Sequence, residues 1–206
     1  MAWLITMQVK GKGMSSYLES SRFIDWQQSE VLDKAKELAK NREGVEEIAK
    51  ACFEFVRDEI KHSWDYEMNP VTCVASDVLQ HGTGYCYAKS HLLAALLRAN
   101  GIPAGLCYQR LTIDNDEPPF CLHGLNAVWL EGHGWFRIDA RGNKAGVDAQ
   151  FGPPVEQLAF PIISTGEMDL PEIYAEPLKV VTDALETYTT WQEVLDNLPD
   201  ISGCGG

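Results

Sequence analysis

The first half of the chain carries hydrophobic residues at three- and four-residue intervals among charged ones. This spacing predicts two amphipathic helices, over about 28–41 and from 45 to about 62. A short helix is predicted over 75–80, before the glycine turn at 81–84. A third long helix covers about 86–99, and its apolar stripe is wide enough to be buried on most sides. We therefore predict that this third long helix is the central helix of the core.

Beyond this helix the pattern changes to extended segments that are rich in β-branched and aromatic residues. These segments cover 104–113, 122–130 and 135–138. A polar loop is predicted over 114–119 and a hairpin connection over 131–134. Two final helices are predicted over 177–186 and 190–197. Helices followed by an antiparallel sheet indicate the α+β class rather than alternating β-α-β units.

Length and composition are those of one globular domain, since 206 residues with 45% hydrophobic ones can form a sizeable core. The 17 Lys and Arg residues stand against 30 Asp and Glu, a net charge of -13. We therefore expect neither nucleic acid nor a membrane surface as a partner. No apolar run reaches membrane-spanning length and no secretory signal pattern opens the chain, so we expect a cytoplasmic protein. Nothing in the pattern predicts an oligomeric state.

Six cysteines are scattered along the chain without the CxxC spacing of zinc knuckles or redox motifs. Cys86 alone follows a glycine turn, Gly82-Thr83-Gly84, and begins a helix, where free N–H groups and the helix dipole favour a thiolate. Gly84 would let a substrate carbonyl approach the backbone amide of Cys86, which is one half of an oxyanion hole. A buried structural thiol is the more common role for a cysteine, so Cys86 needs a partner base to be functional.

Among the five histidines, His123 begins the strand that leads into the predicted hairpin, and Asp139 ends the returning strand. The register decides whether they meet. A loop with an even number of residues pairs position 123 with 142 and puts Asp139 on the opposite face. A three-residue loop, or one bulge, pairs 123 with 141 and makes Asp139 a diagonal neighbour on the same face. We predict the second arrangement.

Neither a metal nor another cofactor is expected. Cys86 and His91 are five residues apart, which misses the four-residue spacing that paired ligands use on a helix. His62, at the end of a surface helix, is expected to be solvated, as is His133 at the hairpin tip. The terminal Gly203-Cys204-Gly205-Gly206 could suggest a diglycine conjugation tail, but a small-residue tail is expected to be disordered.

Three segments together resemble the transglutaminase-like superfamily. The stretch 75–86, continued through 93–104, is similar to the family's nucleophile region, and the spacing from His123 to Asp139 is that of its His and Asp motifs. The helix ending at 55–60 is similar to the one preceding them. The resemblance covers about 18–142. It leaves 143–200 as a C-terminal extension of a single domain and 1–13 and 201–206 as arms.

This resemblance implies a papain-like cysteine-proteinase core, in which the nucleophile helix packs on an antiparallel sheet. It assigns Cys86 as nucleophile, His123 as general base and acid, and Asp139 as the group that orients the imidazole. A second oxyanion donor is open between Gln80, at the spacing of the papain-type glutamine, and Trp64, a candidate for the upstream tryptophan that transglutaminases use.

Tyr87 departs from the family, since many transglutaminases have Trp there, and so does Gly124-Leu125, where Ala-Trp is the common form. These departures bear on substrate range. The implied function is cysteine-dependent acyl transfer on peptides, proteins or small amides, with hydrolysis expected more than cross-linking. The alternative is a triad-bearing domain that binds a protein or peptide without turnover. The loop 114–121, which runs into His123, is a candidate lid.

Overall fold

The computed structural model describes residues 8–10, 13–114 and 117–201. Its helices are α1 (Ser29–Ala39), α2 (Val45–Glu59), α3 (Ala75–His81), α4 (Cys86–Ala99), α5 (Lys179–Thr187) and α6 (Trp191–Asp196). Its strands are β1 (Gln8–Lys10), β2 (Lys61–His62), β3 (Thr83–Gly84), β4 (Ala104–Asp114), β5 (Glu117–Leu130), β6 (Gly134–Ile138), β7 (Met168–Asp169) and β8 (Glu172–Tyr174). The predictions for 1–7, 11–12, 115–116 and 202–206, including Cys204, lie outside the described residues.

The sheet is built around a central antiparallel meander of β4, β5 and β6. β8 and β7 both pair with β4 in the antiparallel sense, and β1 pairs with β8 in parallel at the edge. The strand order is β1-β8-β4-β5-β6. A separate pair, β2 and β3, is parallel, and β3 lies just before α4 in the chain. Helices come first and the meander follows, so the predicted α+β class is confirmed.

α4 is the central helix, as predicted, because thirteen of its fourteen residues are buried. Its leucines, including Leu92, Leu93, Leu96 and Leu97, are fully buried between the other helices and the sheet. Burial of each such side chain contributes about 1.5–3 kcal/mol of transfer free energy. α4 ends before Gly101, whose φ of 73° is the left-handed conformation that commonly stops a helix. No helix among the described residues is long and apolar enough to cross a bilayer.

Two sequence predictions were wrong at element boundaries. The second helix ends at Glu59, because Lys61 and His62 pair with β3 instead of continuing the helix. The predicted polar loop is strand from Glu117 onward, since β5 extends its pairing with β4. β6 pairs only with residues 126–130 of β5, so the edge of β5 that faces β6 has no partner strand at positions 118 and 119. The two prolines there, which lack an N–H group, therefore remove no hydrogen bond with β6.

Candidate active site

The thiol of Cys86 lies at the first residue of α4, directly after β3. β3 pairs in parallel with β2, which fixes the direction in which the chain enters α4. Gly84 packs closely, since a Cβ there would lie 3.1 Å from both Ala88 Cβ and Thr72 Oγ1. The left-handed turn of the segment lies at Gly82, where φ is 64° and α3 ends. One glycine therefore turns the chain and the other lets β3 pack against α4.

His123 and Asp139 lie at the open end of the β5–β6 hairpin. Leu130 pairs with Gly134, which leaves a loop of three residues and sets position 141 opposite 123. This is the register predicted from the sequence, and it places both side chains on the same face. The distance from His123 Nε2 to Asp139 Oδ2 is 2.8 Å. The hairpin therefore forms the predicted His–Asp pair.

Asp139 is fully buried, and its carboxylate accepts hydrogen bonds from three groups. Oδ2 accepts from His123 and from the backbone N–H of Ala159 at 3.1 Å, and Oδ1 accepts from the backbone N–H of Arg141 at 3.1 Å. Burial alone raises the pKa of Asp139, but the charge and hydrogen bond of His123 and the two backbone donors hold the pKa below its usual value. The carboxylate is therefore ionised and forms a hydrogen bond with the imidazole.

The Cys86 thiol meets the middle of β5, beside His123. The backbone N–H of Gly124 donates to Cys86 Sγ at 3.4 Å, and a Cβ at Gly124 would lie 3.0 Å from Tyr87 Cα. Burial lowers the pKa of His123, but the charges of Asp139 and Cys86 and the hydrogen bonds with both outweigh burial and raise the pKa to about 10. The imidazole therefore keeps its proton at neutral pH.

A cleft of about 340 Å³ opens over Cys86 and His123. Its apolar lining includes Leu111, Ile113, Leu122, Phe160, Ile163 and Leu198. Trp64, one of the two candidate oxyanion donors, lines the cleft, whereas Gln80 is exposed on α3 and is not part of the lining. The structure thus brings Cys86, His123 and Asp139 together with Trp64 nearby, and it does not bring Gln80 to them.

His62 also lines the cleft, so the prediction of a solvated side chain was wrong. It is 4% exposed, its ring meets the Tyr85 ring edge-on at 5.5 Å, and Nδ1 has no hydrogen-bond partner within the described parts of the chain. Burial first, then the charge of Arg141, lower the pKa of His62 well below its ordinary value. His62 is therefore neutral at physiological pH. The two-residue strand β2 is too short to leave a periodic signal in the sequence.

The C-terminal segment contributes to the site as well. The edge of the Phe160 ring meets the ring of His123, with 5.0 Å between centroids, and Ala159 donates to Asp139. Both residues follow the last motif recognised in the sequence, and no spacing or composition signal marked them.

Among the residues that the structure describes, no group of three His, Cys, Asp or Glu side chains could hold a metal ion.

Comparison with known proteins gives the family and the fold. The model of the transglutaminase-like superfamily matches residues 33–140, which is more than half of the chain. A solved structure from Cytophaga hutchinsonii, titled a "putative cysteine protease", is 22% identical over 64% of this chain and 43% of its own, with a TM-score of 0.50. At this identity the likeness bears on the fold alone. No curated protein matches significantly.

Two further solved structures are more distant. The periplasmic domain of TgpA from Pseudomonas aeruginosa is 20% identical over 53% of this chain and 41% of its own, with a TM-score of 0.40. Red sea bream transglutaminase is 14% identical over 57% of this chain and 27% of its own, with a TM-score of 0.43. The chain therefore matches less than half the length of each of these three structures.

Proposed function

Since the chain belongs to the transglutaminase-like superfamily, we propose that it is a cysteine-dependent acyl-transfer enzyme acting on peptide or carboxamide bonds. Cys86 is the nucleophile, His123 the general base and acid, and Asp139 the group that orients His123. The observation that supports this proposal is the 2.8 Å bond between a buried carboxylate and a histidine that also contacts a thiol at a helix start. Nucleophile, base and orienting group are the three parts that thiol catalysis needs.

In the first half of the reaction the Cys86 thiolate attacks the carbonyl carbon of the substrate. The new S–C bond forms as the carbonyl π electrons move to oxygen, and the backbone N–H of Cys86 at the start of α4 donates to this oxyanion. The C–N bond then breaks, and the departing nitrogen takes the proton that His123 carries. An amine leaves and a thioester to Cys86 remains.

In the second half a water molecule attacks the thioester while neutral His123 accepts its proton. The S–C bond breaks, the acid product leaves, and the thiolate–imidazolium pair is restored. We propose hydrolysis rather than protein cross-linking as the main outcome. Exposed side chains at the rim, such as Ile163 at 71% and Trp64 at 36% exposure, leave the cleft open to water.

We propose Trp64 rather than Gln80 as the second oxyanion donor, because only Trp64 lines the cleft with Cys86. Loss of one such donor lowers kcat by roughly a hundredfold. Trp64→Phe, which removes the indole N–H and keeps an aromatic ring, should show this loss, while Gln80→Ala should keep the turnover of the unaltered enzyme. The reverse result would reassign the donor to Gln80.

Alkylation by iodoacetamide tests the thiol directly. If His123 holds Cys86 as a thiolate, Cys86 should react fastest of the six cysteines at neutral pH, and His123→Ala should slow this reaction at least about tenfold. Mass spectrometry of the modified peptides measures each site. Cys121 lines the same cleft, so Cys121→Ser is the matched control and should leave the Cys86 rate unchanged. Uniformly slow labelling would contradict the proposal and favour a domain that binds without turnover.

We also propose that the protein acts in the reducing cytoplasm. The five cysteines within the described residues are free thiols, which suits a compartment that keeps thiols reduced. Fractionation of the source cells with an antibody to the protein would test this, and recovery in an oxidising compartment would contradict it.

A further inference from the structure

A second cavity of about 300 Å³ lies directly beside the cleft. His62, Arg141 and Lys144 line both spaces, so the two are neighbours that share a wall. The second cavity is bounded by β2, the start of the segment after β6, and the buried side of α4. None of its lining residues is needed for the acyl-transfer steps described above.

The lining of this cavity is strongly cationic. It contains the five basic side chains Arg57, Lys61, Lys89, Arg141 and Lys144, and the two carboxylates Asp58 and Asp65. Arg57 forms a bidentate ion pair with Asp58, in which Nε donates to Oδ1 at 2.7 Å and Nη2 donates to Oδ2 at 2.8 Å. Asp65 is shared by Arg141 and Lys144, with Lys144 Nζ at 2.7 Å from Oδ1. Positive charge is therefore in local excess, although the whole chain has a net charge of -13.

Lys89 is the most constrained of these cations. Its side chain is 1% exposed, and Nζ donates to the backbone oxygens of Ile60 and Arg57. No carboxylate lies within ion-pair distance of it among the described residues, and a buried charge without a counter-ion is costly. Burial first, then the charge of Arg141, lower the pKa of Lys89 to about 7. An anion in the cavity would offset this cost.

The chain also keeps space next to this ammonium group. A Cβ at Gly142 would lie 3.5 Å from Lys89 Nζ, and the φ of 117° at Gly142 is one that other residues rarely adopt. A side chain at this position would project toward the group that an anion would contact. Gly142 thus places no side chain beside the Lys89 ammonium group, and both residues belong to the lining of the cavity.

We propose that this cationic cavity, formed by Lys61, Lys89, Arg141 and Lys144, binds a carboxylate group of the substrate. The preferred substrates are then acidic peptides or amides that carry a carboxylate near the bond to be cleaved. This inference rests on the proposed function, because the reaction takes place at Cys86 in the adjoining cleft. Carboxylate and ammonium or guanidinium groups form the charge-assisted hydrogen bonds that such recognition uses.

Paired alkylating reagents test the cavity without a known substrate. Iodoacetate and iodoacetamide react in the same way: the Cys86 sulfur bonds to the reagent's methylene carbon and iodide leaves. Only iodoacetate carries a carboxylate. We expect the iodoacetate-to-iodoacetamide rate ratio at Cys86 to exceed that of free cysteine by about threefold or more, although the negative chain as a whole would repel iodoacetate.

Variants locate the effect. Lys144→Gln and Lys89→Met should each lower this rate ratio by about threefold, because each removes one positive charge. Lys179→Gln is the matched control, since Lys179 also pairs with an aspartate but lies on α5 away from both cavities, and it should keep the ratio. Circular dichroism checks folding. If Lys89→Met does not fold, the double variant Lys61→Gln/Lys144→Gln replaces it and should lower the rate ratio, whereas an unchanged ratio would overturn the proposal.

The outcomes separate the two proposals. Fast iodoacetamide labelling of Cys86 with a ratio at or below that of free cysteine overturns the cationic cavity and leaves the acyl-transfer proposal intact. Slow labelling by both reagents overturns the acyl-transfer proposal itself.

Matched peptides with Glu or Gln near the cleaved bond complete the test, with the Glu peptide expected to have the higher kcat/KM. Inorganic phosphate is also added as a competitor of iodoacetate. If phosphate slows iodoacetate but the Glu and Gln peptides are cleaved equally, the cavity binds free anions, and the proposal that it binds a carboxylate of the substrate is overturned.

Discussion

At the scale of single residues, the Asp139 carboxylate is held more firmly than a pairing with one histidine requires. Each of its oxygens accepts from a backbone N–H, one from Arg141 and one from Ala159, in a position with no solvent exposure. A carboxylate can accept all of these bonds, whereas a side-chain amide offers one acceptor and one donor atom. The ionised form is therefore the only one that fits every partner.

Asp139→Asn tests this fit. The amide leaves a donor facing another donor, which should cost about 1–3 kcal/mol of unfolding free energy, and it can favour the wrong tautomer of His123, which should lower kcat by roughly 10³-fold or more. Urea unfolding and steady-state kinetics measure the two effects. Asp183→Asn on the exposed side of α5 is the control and should change neither. Nearly normal turnover in Asp139→Asn would mean that Asp139 does not orient His123.

The proton on His123 predicts an alkaline limit to activity. The pKa of His123 is raised from 6.5 to about 10, so the imidazolium is present at neutral pH and is lost as the pH rises through about 10. Acylation needs this proton, and kcat/KM should fall over the same range. The raised pKa also means that the stability contributed by the His123–Asp139 pair is complete below about pH 6.5 and lost as the pH rises through about 10. A pH–rate profile with its alkaline limb near 7 would contradict this prediction.

At the scale of elements, the sequence predicted what depends on local periodicity. The four longer helices were placed within a few residues, and the odd hairpin register followed from the two-residue period of a strand. The pairs β2–β3 and β1–β8 were missed, because strands of two or three residues carry no period and their partners are distant in the chain. The burial of His62 was missed for the same reason.

Gly124→Ala tests the contact between α4 and β5. The new Cβ would lie 3.0 Å from the Cα of Tyr87, a backbone atom that can move only with the helix. We expect a loss of about 1–3 kcal/mol in unfolding free energy and slower alkylation of Cys86, whose thiol shares this junction. Gly152→Ala is the matched control, since a Cβ there meets nothing within 4 Å. Equal behaviour of the two variants would show that the approach of α4 to β5 is not tight.

At the scale of the whole molecule, hydrogen bonds join the segment 143–200 to the part of the chain that carries the family motifs, about 18–142. Arg98 on α4 donates to Glu19 O at 2.9 Å and to Ala175 O at 2.7 Å, so one buried side chain joins both ends to the core. We propose on this ground that the chain forms a single domain. The sequence predicted Cys86, His123 and Asp139 as a triad but did not predict the bond from Ala159, because a backbone donor has no residue signature.

Phe160→Ala tests the contribution of this segment to the site. Loss of the ring that packs edge-on against His123 should loosen the imidazole and lower kcat by about tenfold, with a smaller loss of stability than a core Phe→Ala, which costs about 3–5 kcal/mol. Val155→Ala, which is 70% exposed in the same segment, is the control. An unchanged pH–rate profile and unchanged kcat in Phe160→Ala would restrict the segment to a structural role.

The hydrogen bond from Ala159 to Asp139 has a consequence for biosynthesis. A ribosome makes residues 86, 123 and 139 before 159 and 160, so a nascent chain carries Cys86 and His123 before the geometry of Asp139 is fixed. The hydrogen bonds to the Asp139 carboxylate are complete only when residue 159 has emerged and folded back onto it. If the proposed function holds, an unfinished chain would therefore contain Cys86 and His123 without the complete set of bonds that fixes Asp139.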